Sequence, residues 1–135
     1  MRNMLLAIFI AAVMVVLGFV RLAPSDPARW HVPPQAQADR DLPKGVLRVF
    51  ETGPDGLARL DRIAQATPRT TVLAGSVEQG MVTYITRTKV FGFPDYTTVQ
   101  QDGDTLRIYA RLRFGRRDFG VNRDRVERWL ALLQP

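Results

Sequence analysis

The side chains here that could do chemistry are few, and most are cations. The chain has no cysteine, and His31 is its only histidine. Disulfides, thiolate metal sites and cysteine nucleophiles are therefore excluded, and a lone imidazole lacks partners for a metal centre or a triad. No glycine-rich phosphate loop, GxSxG elbow or HExxH helix occurs. Two carboxylates next to turn residues, Asp95 and Asp118, could pair for acid–base work, although carboxylates so placed also serve as caps and ion-pair partners. The stronger signal is basic. From Arg107 onward the chain carries eight of its nineteen Lys and Arg, opposed only by Asp118, Asp124 and Glu127. The planar guanidinium fork pairs bidentately with carboxylates and phosphates, so the chemistry to expect is anion binding. The candidate ligand set is Arg107, Arg111, Arg113, Arg116, Arg123 and Asn122. No catalytic residue, metal or cofactor is expected.

These residues lie on three consecutive elements. Leu106, Ile108, Ala110, Leu112 and Phe114 alternate with Arg107, Tyr109, Arg111 and Arg113. That period predicts a strand with one buried face and one wet, arginine-rich face. Gly115 and Gly120 bracket a corner, and Asn122 is suited to cap the helix that follows. Val126, Leu130 and Leu133 recur at helical spacing, with Trp129 flanking them. An N-terminus of this kind offers free N–H groups and a positive dipole end, on which Arg113, Arg116, Arg117 and Arg123 could converge. Alternatively the corner is purely structural: Asp118 pins it through an arginine, and Gly115, Gly120, Asn122 and Arg125 shape it. Asp118-Phe119-Gly120 coincides with the kinase metal-binding triplet, but no other kinase segment is present.

The amino end is organised differently. Met4–Val20 is apolar and uncharged, bounded by Arg2 and Arg21. Its seventeen residues sit at the short end of a membrane span and are longer than an ordinary signal-peptide core. Residues 1–22 are therefore expected to form an uncleaved transmembrane anchor. Residues 23–45, with five of the nine prolines, read as an extended linker. Within it Trp30 either sits at the headgroup level or plugs the domain. Residues 46–135 form the globular domain.

In that domain Val46–Phe50 reads as a strand, Gly56–Ala66 as a helix with Leu57, Leu60, Ile63 and Ala64 on one stripe, and Pro68 as its stop. Thr70–Gly75, Met81–Val90 and Tyr96–Gln101 are further strands, and Phe91 and Phe93 are expected to plug the turn between the last two. Asp102-Gly103 predicts a two-residue hairpin turn, which sets Val99 opposite Leu106 and Tyr96 opposite Tyr109. The fold class is α+β: an antiparallel sheet of about five strands with two helices on one face, preceded by the transmembrane helix.

The run RFGRRDFGVNRDRVERW resembles the C-terminal signature of the family called domain of unknown function 1499, in which an Arg–Gly–Asp–Gly–Asn–Arg–Arg pattern precedes the last helix. Arg113, Gly115, Asp118, Gly120, Asn122, Arg123 and Arg125 match it by position; Arg117 stands where the pattern has a Ser. Pro68-Arg69-Thr70, Gly92-Phe93-Pro94-Asp95 and Trp30-His31-Val32-Pro33 resemble further landmarks. The resemblance is to the membrane-anchored members of bacterial and chloroplast type. It brings no activity with it.

Anchor and charge together predict a membrane-anchored binding or scaffold module. Its basic strand and corner would meet an anionic lipid headgroup, an acidic envelope polymer or an acidic protein. The short leader before the anchor, and the family resemblance, favour an inner-membrane protein with its domain on the periplasmic side. Were the domain cytoplasmic, the pI near 10.7 and a Tyr96–Tyr109 platform would suit nucleic acid instead. An Asp-dependent hydrolase would need Asp95 and Asp118 in one pocket.

Overall fold

The computed structural model describes residues 1–134. After the N-terminal helix α1 (Arg2–Leu22) come a single turn α2 (Pro27–Trp30), strands β1 (Arg40–Leu42) and β2 (Gly45–Glu51), and helix α3 (Gly56–Ala66). Strands β3 (Thr70–Ser76), β4 (Met81–Arg87), β5 (Pro94–Asp102) and β6 (Thr105–Leu112) follow, and helix α4 (Val121–Leu133) closes the chain. The strands form one antiparallel sheet in the order β1-β2-β6-β5-β4-β3. The sixth strand is β1, which the proline-rich composition of its segment hid. It adds to the outer edge of β2, where prolines on either side cost no ladder bonds.

Alternation along β2, β4, β5 and β6 sends Val46, Val82, Tyr84, Val99, Leu106, Ile108 and Ala110 to one face. Leu57, Leu60 and Ala64 of α3 and Val126, Trp129, Leu130 and Leu133 of α4 close over them. Tyr84 and Trp129 meet edge to face at 5.8 Å, and the Trp129 indole N–H donates to Thr67. Two helices on one face of the sheet is the expected arrangement.

The β5–β6 hairpin is shifted from the expected register. Asp102 pairs with Thr105, Val99 with Ile108, Thr98 with Tyr109 and Tyr96 with Arg111. Its two loop residues are Gly103 and Asp104, because Gly103, at φ +60°, takes the first loop position, where a positive φ is required. The shift is two residues, so every side chain keeps its face.

The second face differs more from expectation. Residues 24–36 cross it as a strap, and the rows expected to be wet lie beneath. Trp30 stacks on the fully buried Tyr96 ring at 4.0 Å and 14°, with Ile85 and Leu73 alongside. Ser25 bonds the Tyr96 hydroxyl, His31 Nδ1 bonds Thr83, and the Ala36 carbonyl accepts from Arg107. Trp30 is the plug rather than the headgroup anchor. Phe91, in contrast, is half exposed and plugs nothing.

Candidate functional site

The arginine row on β6 is not an open surface. Arg111 is 5% exposed and lies under the strap. Its Nη2 donates to the Trp30 carbonyl, and its Nη1 donates to Thr98 Oγ1 and to the Tyr109 carbonyl. The guanidinium also stands over the Trp30 and Tyr109 rings, at 5.5 and 4.6 Å. All three of these acceptors are neutral. Burial pulls its pKa down from 12.5 to about 10, the nearby tyrosines opposing that pull. Arg107 is tied to Asp102 at 3.1 Å and to the strap; Arg113 donates to the Pro24 carbonyl and the Tyr96 hydroxyl. The expected wet face is a second, smaller core, and Tyr96 cannot serve as a stacking platform.

The corner is built on Asp118, not on an Asn122 cap. Gly120, at φ +82°, is the N-cap of α4, a backbone conformation that a residue with a Cβ enters only at a cost. Asp118 Oδ1 accepts from the Gly120 N–H at 2.9 Å and Oδ2 from the Asn122 N–H at 3.2 Å. Asn122 lies two residues past the N-cap position, too far into the helix to cap it. Its side chain is buried, and Oδ1 accepts from Arg125 Nη1 at 2.8 Å. Arg125 Nη2 in turn reaches Asp95 Oδ2 at 3.3 Å, with both side chains almost fully buried. Burial pushes the Asp95 carboxyl upward against the pull of Arg125, and the same burial holds Arg125 below its ordinary value. Asp95 and Asp118 do line one cavity of about 160 Å³, with Thr88, Phe93, Phe114 and Arg117 among its walls. Both oxygens of Asp118 are taken up by the cap, however, and Asp95 is clamped by Arg125. Arg116 and Arg117 are exposed beside the corner, and Arg123 reaches Asp41 at 3.8 Å and Asp124 at 3.4 Å. The residues matching the family pattern thus build the junction of sheet and helix.

Sequence reasoning missed the most basic concavity. It is a pocket of about 410 Å³ lined by Arg21, Arg69, Thr71, Arg87, Thr88, Lys89 and Gly92. Topology brings these together: β3 begins and β4 ends at one end of the sheet, and α1 packs there. Val20 and Ala23 are buried against the domain, Phe19 meets Phe114 edge-on at 6.2 Å, and Arg21 Nη2 reaches the Val90 carbonyl at 3.5 Å. Arg87 Nη1 is held by the Gly92 carbonyl at 3.0 Å and Arg69 Nε by the Arg87 carbonyl at 3.1 Å. Arg69 itself adopts φ +58°, uncommon for a residue with a Cβ. None of the ion pairs among the described residues involves Arg21, Arg69, Arg87 or Lys89. The four are scattered over residues 21–89, so no local run could reveal them. The signal was available only through strand order.

A two-helix, six-stranded antiparallel α+β domain behind an apolar N-terminal helix is the class these features define. A family model described as protein of unknown function (DUF1499) matches residues 23–133, and the chain belongs to that family. The matched region begins at the exit of α1, so it takes in the strap as well as the sheet. No curated protein and no solved structure matches the chain.

Proposed function

We propose that this protein is a single-pass, membrane-anchored binding module that lies against the bilayer and meets an anionic partner at its membrane-proximal end. The observation that carries this reading is the distribution of charge along the sheet. The end at which α1 packs collects Arg21, Lys44, Arg69, Arg87, Lys89, Arg113, Arg116 and Arg117 in its loops and element ends. The opposite end carries Glu51, Asp55, Glu78, Asp102 and Asp104, against which, among the described residues, stand only Arg59 and Arg107, paired with Asp55 and Asp102. Helix α1 has a mean hydropathy of 2.7 and a length of 21 residues. At 1.5 Å per residue that is roughly 31 Å, the thickness of a bilayer's hydrocarbon core. Arg21 then emerges at the headgroup level, and exposed Leu22, Val90 and Phe91 flank it. Apolar side chains among cations suit an anionic membrane surface.

Binding ranks ahead of the alternatives for stated reasons. Nucleic acid loses its stacking platform to the buried Tyr96, and acid–base chemistry loses its pair to the Asp118 cap and the Arg125 clamp. The location that goes with the reading is the inner membrane, with the domain on the periplasmic side; a topology reporter fused after Pro135 tests the side. Apposition is tested with the full chain in nanodiscs. The absence of cysteine allows a single fluorophore at Val90→Cys or at Asp104→Cys. Headgroup-labelled quencher lipids should quench the probe at position 90 strongly and that at 104 weakly. Equal quenching at the two positions would refute the orientation.

A further inference from the structure

We propose that the pocket between Arg21, Arg69, Arg87 and Lys89 is a binding site for a phosphate group, supplied by an anionic lipid headgroup. The inference rests on the membrane-apposed reading and goes beyond it by naming a site and a ligand chemistry. Four cations share one concavity of about 410 Å³ that no carboxylate lines. Like charges brought together repel, and a concave wall concentrates their field, so an anion in the pocket relieves the arrangement. The cations are also oriented. Arg21, Arg69 and Arg87 each spend one N–H on a backbone carbonyl, of Val90, Arg87 and Gly92 respectively. A guanidinium has five N–H donors, so each keeps others free for oxygen acceptors. Thr88 supplies a further donor: its Oγ1 accepts from the Phe93 N–H, leaving its own hydrogen available.

Phosphate suits this donor set better than a carboxylate does. Its oxygens point in several directions, and the donors arrive from α1, from the turn before β3 and from the end of β4. A lipid is the favoured source because Arg21 follows directly on the apolar span. A phosphate in the pocket therefore lies at the depth of the headgroup layer, with Leu22 and Val90 exposed for the acyl chains.

The test uses the full chain in a neutral detergent, titrated separately with short-chain phosphatidylglycerol, short-chain phosphatidylcholine and inorganic phosphate. Binding is followed by calorimetry and by the melting temperature. One phosphatidylglycerol should bind per chain and raise the melting temperature, with phosphatidylcholine at least about tenfold weaker. The triple variant Arg69→Gln/Arg87→Gln/Lys89→Gln should lose at least about tenfold in affinity, since a single charge-assisted hydrogen bond already accounts for a factor of that size. Arg87 also braces the 88–93 turn, so the exposed Lys89→Glu is the companion variant; it should weaken binding while melting like the wild type without ligand. Unchanged affinity in Lys89→Glu and in a folded triple variant would overturn the site. Inorganic phosphate binding as tightly as the lipid would overturn the lipid source and assign the pocket to a soluble phosphate. Quenching at position 90 would persist in either case, so failure of the pocket is distinguishable from failure of membrane apposition.

Discussion

Replacing Arg111 with Met should destabilise the domain, whereas the same change at Arg107, four residues earlier on the same face, should cost less. The two arginines look alike in the sequence, and burial separates them. Arg111 donates three hydrogen bonds, to Trp30, Thr98 and Tyr109. Charge-assisted bonds contribute about 1.5–3 kcal/mol each, so the three together amount to about 4.5–9 kcal/mol. Against this stands the cost of keeping a cation in a site that lowers its pKa from 12.5 to about 10. At about 1.4 kcal/mol per unit, that cost is on the order of 3 kcal/mol. The hydrogen bonds win across the whole range, and the variant should lose on the order of 1.5–6 kcal/mol even though Met restores apolar volume. Arg107 has a side chain 29% exposed, and its pair with Asp102 lies at the surface, where such pairs contribute about 0–1 kcal/mol. Its one bond to the Ala36 carbonyl adds to that at the low end of the charge-assisted range, about 1.5 kcal/mol, because the side chain is partly solvated, and the total should stay at about 1.5–2.5 kcal/mol. Denaturant titration of both variants as full chains in detergent, followed by near-ultraviolet circular dichroism of the Trp30–Tyr96 stack, gives the comparison. A wild-type midpoint for Arg111→Met, or a larger loss at Arg107, would refute the assignment of Arg111 to a second core.

Two further outcomes follow from the strap and the corner. His31 is bonded to Thr83, and burial lowers its pKa from 6.5, so its contribution to stability is present above pH 6.5 and is lost as pH falls through the lowered value. Wild-type stability should therefore drop between pH 7 and 5 by more than that of His31→Gln, and parallel pH profiles would count against a stabilising role for the imidazole in the strap. At the corner, Asp118→Ala should cost about 1–2 kcal/mol through loss of the cap to Gly120 and Asn122, and Gly120→Val about 1–3 kcal/mol through its positive φ. Wild-type melting temperatures in both variants would show that the corner does not hold α4 in place.

The elements were legible because their signals are local. Leu106–Leu112 alternates, Leu57, Leu60 and Ala64 repeat at helical spacing, and each pattern predicts its own burial without reference to the rest of the chain. The strap was not legible, because periodicity carries no information about a proline-rich segment that lies across a sheet. With the strap unseen, Arg111 and Tyr96 were assigned to solvent. The Asn122 cap failed for a related reason. Asp118 and Asn122 are both good capping residues, and only the left-handed Gly120 decides between them by starting the helix at Val121. The basic pocket was the least legible feature. Pro68-Arg69-Thr70 and Gly92-Phe93-Pro94-Asp95 stood out in sequence without a role, and they meet only because β3, β4 and β5 run side by side.

The architecture narrows where this domain can act. One face of the sheet is closed by α3 and α4 and the other by the chain's own strap, so neither face offers the open groove that most sheet-based binding sites use. What remains are the edges and the two ends. Edge β1 is three residues long with Pro43 and Lys44 after it, and edge β3 carries a register irregularity between Val72 and Ala74, features that discourage strand addition. The ends differ in sign, acidic away from α1 and basic beside it. An anionic surface would attract the second and repel the first, and on the proposed membrane apposition α1 would present the basic one. The strap strengthens this arrangement, since it links α1 to the sheet through Trp30, Ser25 and the Pro24 carbonyl rather than through a free tether. A free tether of the same length would let the domain tumble and average the two ends. In the proposed membrane-apposed arrangement, a packed strap would hold the basic end toward the bilayer, and its cations would act as a fixed array instead of a diffuse cloud.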